Sequence, residues 1–236
     1  MRPLPAELAG PATLHGLSAF STVRTRHGRP LLLQKHLARL AATCAFLRLP
    51  EPASDLPALP PLPWGLLRLT VTADGTFWSH HELRPPAVPA RGTEVWLSGV
   101  QVHPQLGRHK TGNYLPYLLA GRGAEAHGAF EGLLTDGAGT VVDASRSGLL
   151  LQMGGEYLMP GGGLPSVTRA AWLAELGREA SVVPVSPELL AGADHVWLCG
   201  AGMGIVPVGR ISGDGWARTY AADWPDTQHP ALVIPY

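Results

Sequence analysis

Arg108-His109-Lys110-Thr111-Gly112-Asn113-Tyr114-Leu115 is the stretch on which the reading of this chain turns. Only two lysines occur, Lys35 and Lys110. Lys35 opens a charged helix face in Gln34-Lys35-His36-Leu37-Ala38-Arg39-Leu40, the ordinary setting of a solvated side chain. Lys110 instead lies among glycine, asparagine and tyrosine, where the texture of the chain changes.

Before that point, Ser18 to Thr25 alternates β-branched and aromatic residues, and His27-Gly28-Arg29-Pro30 supplies a turn before Leu31-Leu32-Leu33, a pattern that predicts two strands in a hairpin. Leu37, Leu40, Ala41, Cys44 and Leu47 recur at helical spacing, so an amphipathic helix is expected over 36–47, ended by Pro50. The proline-rich stretch 50–63 lacks amide donors and reads as a connection. Leu66 to Thr72 and Thr76 to Glu82 flank Asp74-Gly75, a hairpin signal, and a further strand is expected over 94–100.

After Lys110, residues 114–127 suit a helix and 130–135 a strand. Further strands are expected at 141–142 and 149–152, and a helix over 168–180. The chain is therefore expected to divide near residue 112, into an N-terminal α+β domain (1–112) and a C-terminal sheet-rich, cofactor-binding domain (113–236).

Two more polar segments follow the lysine: Thr140-Val141-Val142-Asp143-Ala144-Ser145-Arg146-Ser147-Gly148-Leu149, and Leu164-Pro165-Ser166-Val167-Thr168-Arg169, which leads into a helix. Together they match the needs of pyridoxal phosphate. That cofactor requires a lysine amine for Schiff-base attachment, a carboxylate that keeps the ring nitrogen protonated, and a cradle for its phosphate. Lys110, Asp143 and the Val167-Thr168 turn fill these roles in order. Lys110, released by substrate, would then act as a general base. A helix start favours an anion through its unpaired amides and dipole, and Thr168 could serve as cap and phosphate ligand at once. Asp143 also has a plain reading, as a turn carboxylate bonding local amides.

The order and wording of these segments resemble the class IV aminotransferases, the fold-type IV pyridoxal phosphate enzymes, over about residues 15–208. The family wording is a lysine followed by Asn-Tyr-Leu, a glutamate stretch ending Ser-x-Asn, and a Leu-Pro-Gly-x-Thr-Arg turn. The resemblance implies an α+β to α/β architecture in two domains, a small N-terminal α+β sandwich and a C-terminal pseudo-barrel, with the cofactor between them. It implies that Arg39, in the His-x-x-Arg-Leu wording, contacts the phosphate. Glycines of the Gly200-to-Gly204 run would bring main-chain amides there, at Ala201 and Gly202. Tyr114 would either bond the cofactor's phenolic oxygen or pack at the domain interface. Asp143 stands where the family usually has glutamate, so the backbone must approach by about one methylene more. Gly148 replaces an asparagine, and Leu17 an aspartate.

Phe20-Ser21-Thr22-Val23-Arg24 resembles the wording of aminodeoxychorismate lyases, and the arginine expected after Thr72-Ala73-Asp74 in D-amino acid aminotransferases is absent. The glycine- and arginine-rich loop of many lyases is absent too. The expected reaction is conversion of 4-amino-4-deoxychorismate to 4-aminobenzoate and pyruvate in folate biosynthesis. The alternatives are an aminotransferase acting on branched-chain or D-amino acids, and a catalytically degenerate member. A homodimer and a small amino substrate are implied by the same resemblance.

Composition bounds the rest. With 45% hydrophobic and 15% charged residues, 236 residues can bury a substantial core. Zero formal net charge and no basic cluster argue against a nucleic acid partner. Cys44 and Cys199 sit among apolar neighbours and read as buried reduced thiols. With no apolar leader and no long apolar run, a cytoplasmic protein without a membrane partner is expected. The histidines show no metal-ligand spacing, and adjacent His80 and His81 would point to opposite faces of a strand.

Overall fold

The structure, a computed structural model, describes residues 9–235. A helical turn, α1 (Pro11–Leu14), precedes strand β1 (Ala19–Arg26), which turns into the two-residue β2 (Arg29–Pro30). Helix α2 (Leu33–Leu47) and the hairpin of β3 (Trp64–Thr72) and β4 (Gly75–Glu82) follow. The sheet order is β2-β1-β3-β4, antiparallel throughout. Ala19 and Val23 of β1 and Leu67, Leu69 and Val71 of β3 pack against Leu37, Leu40 and Cys44 of α2. The period of two then puts Phe20 and Arg68 on the other face.

Leu33, expected in a strand, opens α2 instead, because Leu32 is left-handed (φ 56°) and ends the extended run. The helix closes at Arg48, also left-handed (φ 55°), ahead of Pro50. Residues 49–62 form neither helix nor strand.

The short β2 covers only the Thr25–Arg26 end of the β1 edge. The Lys110 segment takes the other end: Phe20 N–H donates to the Lys110 carbonyl (2.9 Å), Gly112 N–H to the Ser18 carbonyl (2.7 Å), and Ala19 bridges Thr111.

The second unit contains β5 (Thr93–Gln101), α3 (Pro104–Gly107), α4 (Leu115–Ala126), β6 (Glu131–Thr135), β7 (Val141–Ala144), β8 (Gly148–Met153) and β9 (Glu156–Pro160). It continues through α5 (Val167–Leu176), β10 (Ala180–Val183), α6 (Pro187–Gly192), β11 (His195–Gly200), β12 (Gly204–Gly213) and β13 (Trp216–Thr219). The nine strands run β10-β9-β8-β11-β12-β5-β6-β7, with β13 added on β12. Val141 of β7 also bridges Val185, just past β10, through a 2.8 Å hydrogen bond. The ends of the strand order therefore meet, and the sheet curls into the expected pseudo-barrel.

Leu149 and Leu151 face a core with Val95, Leu133, Val196 and Val206. Leu150 faces the other way, with Trp197 and with Trp172 and Leu173 of α5. Burial on both faces explains the unbroken leucine run.

Two expectations change here. The units are not separated by one cut near residue 112: Leu83–Arg108 belongs with the second unit, and His109–Tyr114 with the first. The reason is pairing, since β5 lies between β12 and β6 in the larger sheet. Helix α5 stops at Leu176 rather than Ala180, because Gly177 turns left-handed (φ 61°) as its C-cap and Ala180 starts β10. Cys44 and Cys199 are buried free thiols. Among the described residues, no helix is long and apolar enough to cross a membrane.

Candidate functional site

Lys110 is held by its main chain along β1, and its amide also donates to Thr43 Oγ1 (3.3 Å) on α2. Its amine donates to the Tyr114 hydroxyl at 3.0 Å. The Nζ atom lies over two rings, 4.6 Å from the centroid of Phe20 and 4.5 Å from that of Tyr114. The two rings meet edge to face, 5.2 Å apart. Arg68 stacks on Phe20 as well, at 3.8 Å. The spacing of four residues thus brings Lys110 and Tyr114 together, with a second cation near by.

Arg39 is half-buried on α2, and its Nη2 donates to Ser21 Oγ (3.1 Å). The same hydroxyl meets Nδ1 of buried His36, also at 3.1 Å. Thr43 Oγ1, which takes the Lys110 amide, donates to the Arg39 carbonyl (3.2 Å). Arg39 is therefore tied to Lys110 through one hydroxyl. Burial, and then the charges of Arg39 and Lys110, push the His36 pKa down to about 3, so this imidazole is neutral.

The other candidate residues lie in the second unit. Asp143 sits on β7, buried, with Oδ1 accepting from its neighbour Ala144 N–H (3.1 Å) and Oδ2 from Leu164 N–H (3.2 Å). The local-amide reading thus describes part of its environment. The Leu164 bond ties the carboxylate to the loop that leads into α5.

At the start of α5, Ser166 caps the helix, accepting the Arg169 N–H (3.2 Å) while donating to the Cys199 carbonyl (3.1 Å). The amides of Val167 and Thr168 are the donors that the helix itself does not use. Buried Arg169 donates to the Leu149 carbonyl at 2.7 Å. Cys199 pairs in register with Gly148, so β8, β11 and the start of α5 are tied at one point. Gly148 leaves room for Ser166: a Cβ on it would lie 2.7 Å from Ser166 Cβ and 3.4 Å from Arg169 Nη1.

Ala201 and Gly202 form the turn between β11 and β12, closed by Met203 N–H to the Gly200 carbonyl (3.2 Å). A Cβ on Gly202 would meet nothing within 4 Å, whereas one on Gly200 would lie 3.2 Å from Ser147 Cβ. The turn therefore rests on Ser147 and opens at Gly202. The structure brings the Asp143 turn, the α5 start and the Ala201-Gly202 turn to one end of the larger sheet, and Lys110, Tyr114 and Arg39 together on the smaller one.

Sequence reasoning missed Glu131, His36, Ser21, Thr43 and Arg68. His36 and Ser21 fell inside motifs quoted for other residues. Glu131 had only a faint signal, an acid opening an apolar strand.

Residues 18–211 match the amino-transferase class IV family. Over 108 residues the chain is 34% identical to the branched-chain-amino-acid aminotransferase of Escherichia coli (strain K12), covering 43% of this chain and 35% of that relative's length. A solved structure provisionally assigned as a 4-amino-4-deoxychorismate lyase is 40% identical, with a TM-score of 0.78, covering 88% of this chain and 92% of the other. The 4-amino-4-deoxychorismate lyase of Pseudomonas aeruginosa is 26% identical, with a TM-score of 0.75, covering 95% and 92%. Since the matched residues 18–211 take in most of its length, the chain belongs to the amino-transferase class IV family of pyridoxal phosphate-dependent enzymes.

Proposed function

We propose that this chain is a lyase that converts 4-amino-4-deoxychorismate to 4-aminobenzoate and pyruvate, with Lys110 as the residue that binds the cofactor and moves the proton. The observation that carries the cofactor assignment is the Lys110 amine, 3.0 Å from the Tyr114 hydroxyl and over the Phe20 and Tyr114 rings. The lyase reading is supported by the 40% identity to a provisionally assigned lyase across 88% of this chain.

The donor set fits pyridoxal phosphate. Lys110 supplies the amine. Asp143 supplies a buried carboxylate for the ring nitrogen. Val167 and Thr168 at the helix start, Ala201 and Gly202 in the open turn, and Arg39 supply donors for a phosphate. The bound cofactor serves as an electron sink.

The chain's own residues then divide the remaining work. The reaction needs loss of the proton on the carbon that bears the amine and departure of enolpyruvate, which takes up a proton to become pyruvate. Lys110 Nζ is the group that accepts and returns that proton. Tyr114 fixes the amine's direction through its hydroxyl. Arg68, stacked on the same Phe20 ring, offers a guanidinium to a substrate carboxylate.

On this reading the chain works in folate synthesis in the cytoplasm, as a homodimer. The exposed stripe Leu115, Leu118 and Leu119 on α4 supports a covered face. The second reading, an aminotransferase, is favoured by the 34% identity to the E. coli enzyme over 108 residues.

The test is formation of 4-aminobenzoate from 4-amino-4-deoxychorismate by the cofactor-loaded protein, with Lys110→Ala as control. Product that falls by about 10³-fold or more in the variant supports the lyase. Cofactor bound through Lys110 without product sinks it and leaves amino donors paired with keto acids to be tried.

A further inference from the structure

We infer that Glu131 is a positioning residue that sets the geometry of the turn after Asp143. Its relevance to the cofactor rests on the function proposed above. Glu131 opens β6 and is fully buried, yet it is a carboxylate in a strand that otherwise reads Gly-Leu-Leu-Thr. Its Oε2 gathers three donors from a single turn: Ser145 Oγ (3.3 Å), Arg146 N–H (2.9 Å) and Ser147 Oγ (3.0 Å). Its Oε1 is buried without a hydrogen bond, 3.7 Å from the Arg146 Nε.

An arrangement of this kind is not explained by stability. A buried carboxylate carries a large desolvation cost, and an apolar residue of similar size commonly serves a core as well or better. The Arg146 guanidinium is a weak offset, since its side chain is 59% exposed. Burial raises the Glu131 pKa, while the Arg146 guanidinium, the Arg146 amide and the two serine hydroxyls pull it back.

The turn itself explains the choice. Ala144 N–H reaches the Ser147 carbonyl (3.1 Å), and Ser145 N–H the Gly132 carbonyl (2.9 Å), so the chain doubles back directly after Asp143. A turn so short leaves the amide of Arg146 and two hydroxyls pointing inward, and a carboxylate, which accepts and brings no hydrogen of its own when ionised, can receive all three. Ser147, fixed by this bond, also bears on Gly200 and so on the turn that carries Ala201 and Gly202. One carboxylate thereby sets both the Asp143 side chain's surroundings and the glycine turn, without a place in either. Its action is through these residues.

The experiment compares Glu131→Gln with Leu133→Ala, a cavity variant of the same strand, in the full chain. Three readouts are taken: peptide-level hydrogen exchange over residues 144–148, the pyridoxal phosphate dissociation constant, and the pH midpoint of the bound cofactor's visible absorption. The expected result for Glu131→Gln is exchange at least tenfold faster in that turn, cofactor binding weakened at least tenfold and a displaced midpoint. Leu133→Ala should lose thermal stability and leave all three within twofold. A folded Glu131→Gln protein that behaves as Leu133→Ala does would overturn the inference. If Glu131→Gln does not fold, Ser147→Ala removes one of the three donors and is judged by the same outcomes. A wild-type chain that binds no pyridoxal phosphate would count against the proposed function instead, and the exchange measurement then decides the role of Glu131 alone.

Discussion

Around Lys110, side chains hold one another: an amine on a phenol, two cations on one phenyl ring, and a serine hydroxyl shared by a guanidinium and an imidazole. Around Asp143, side chains bond mostly to main chain, the Glu131 contacts with Ser145 and Ser147 apart. The Asp143 carboxylate takes two amides, Ser166 takes an amide and gives to a carbonyl, and the turn at Ala201 closes on itself. The first arrangement can absorb a change of side chain by repacking. In the second, space is set by backbone, and adding one carbon in the wrong place displaces a whole segment.

Gly148→Asn is the sharpest way to break that contrast. The new Cβ would sit 2.7 Å from Ser166 Cβ, at the point where β8, β11 and the start of α5 are tied. Overpacking of this kind costs about 1–3 kcal/mol, and the upper end is expected because Ser166 Cβ is fixed directly to the backbone of the helix cap. Ser166→Gly in the same protein should recover most of the loss, a coupling of at least about 1 kcal/mol in a double-mutant cycle of urea denaturation. Additive losses would mean that the two positions do not compete for the same space.

The Lys110 side is probed by pH. Buried His36 has its pKa pushed down to about 3 by burial first and then by Arg39 and Lys110, against 6.5 for the free side chain. Below about 6.5 the unfolded chain binds a proton that the folded chain refuses until about 3, so folding stability is lost as pH falls through this window. The slope is up to about 1.4 kcal/mol for each pH unit. Urea midpoints taken at about pH 6 and about pH 5 should therefore fall in the wild type and much less in His36→Gln, which keeps a partner for Ser21. Equal slopes in the two proteins would show that other groups carry the acid sensitivity.

How much of this was legible in the sequence follows the same contrast. Lys110 stood out because lysine is scarce in the chain and its neighbours are distinctive, and the Asp74-Gly75 hairpin and the α5 start carried local signals that the fold keeps. What was hidden depends on pairing across long separations. Val95 pairs in parallel with Ile211, and Val141 meets Val185 to bring the sheet's ends together. Neither partner marks the other locally, so residues 83–108 were given to the wrong unit. Glu131 was hidden for the same reason, because its value lies in donors from a turn 14 to 16 residues away. Ser21 and His36 are likewise joined only when β1 meets α2.

The smallest expected effect separates two roles within one hydroxyl. Ser166 Oγ accepts the Arg169 N–H as a helix cap and donates to the Cys199 carbonyl. Ser166→Ala removes both bonds and is expected to cost about 1 kcal/mol in urea denaturation, the usual value of a cap. Glycine at a cap is tolerated to within a few tenths of a kcal/mol. If capping sets the cost, Ser166→Gly should therefore be much milder than Ser166→Ala. If the two variants lose equally, the bond to the Cys199 carbonyl is what holds α5 on β11, and the Ser166 side chain joins Glu131 in holding the Asp143 region as side chains do around Lys110.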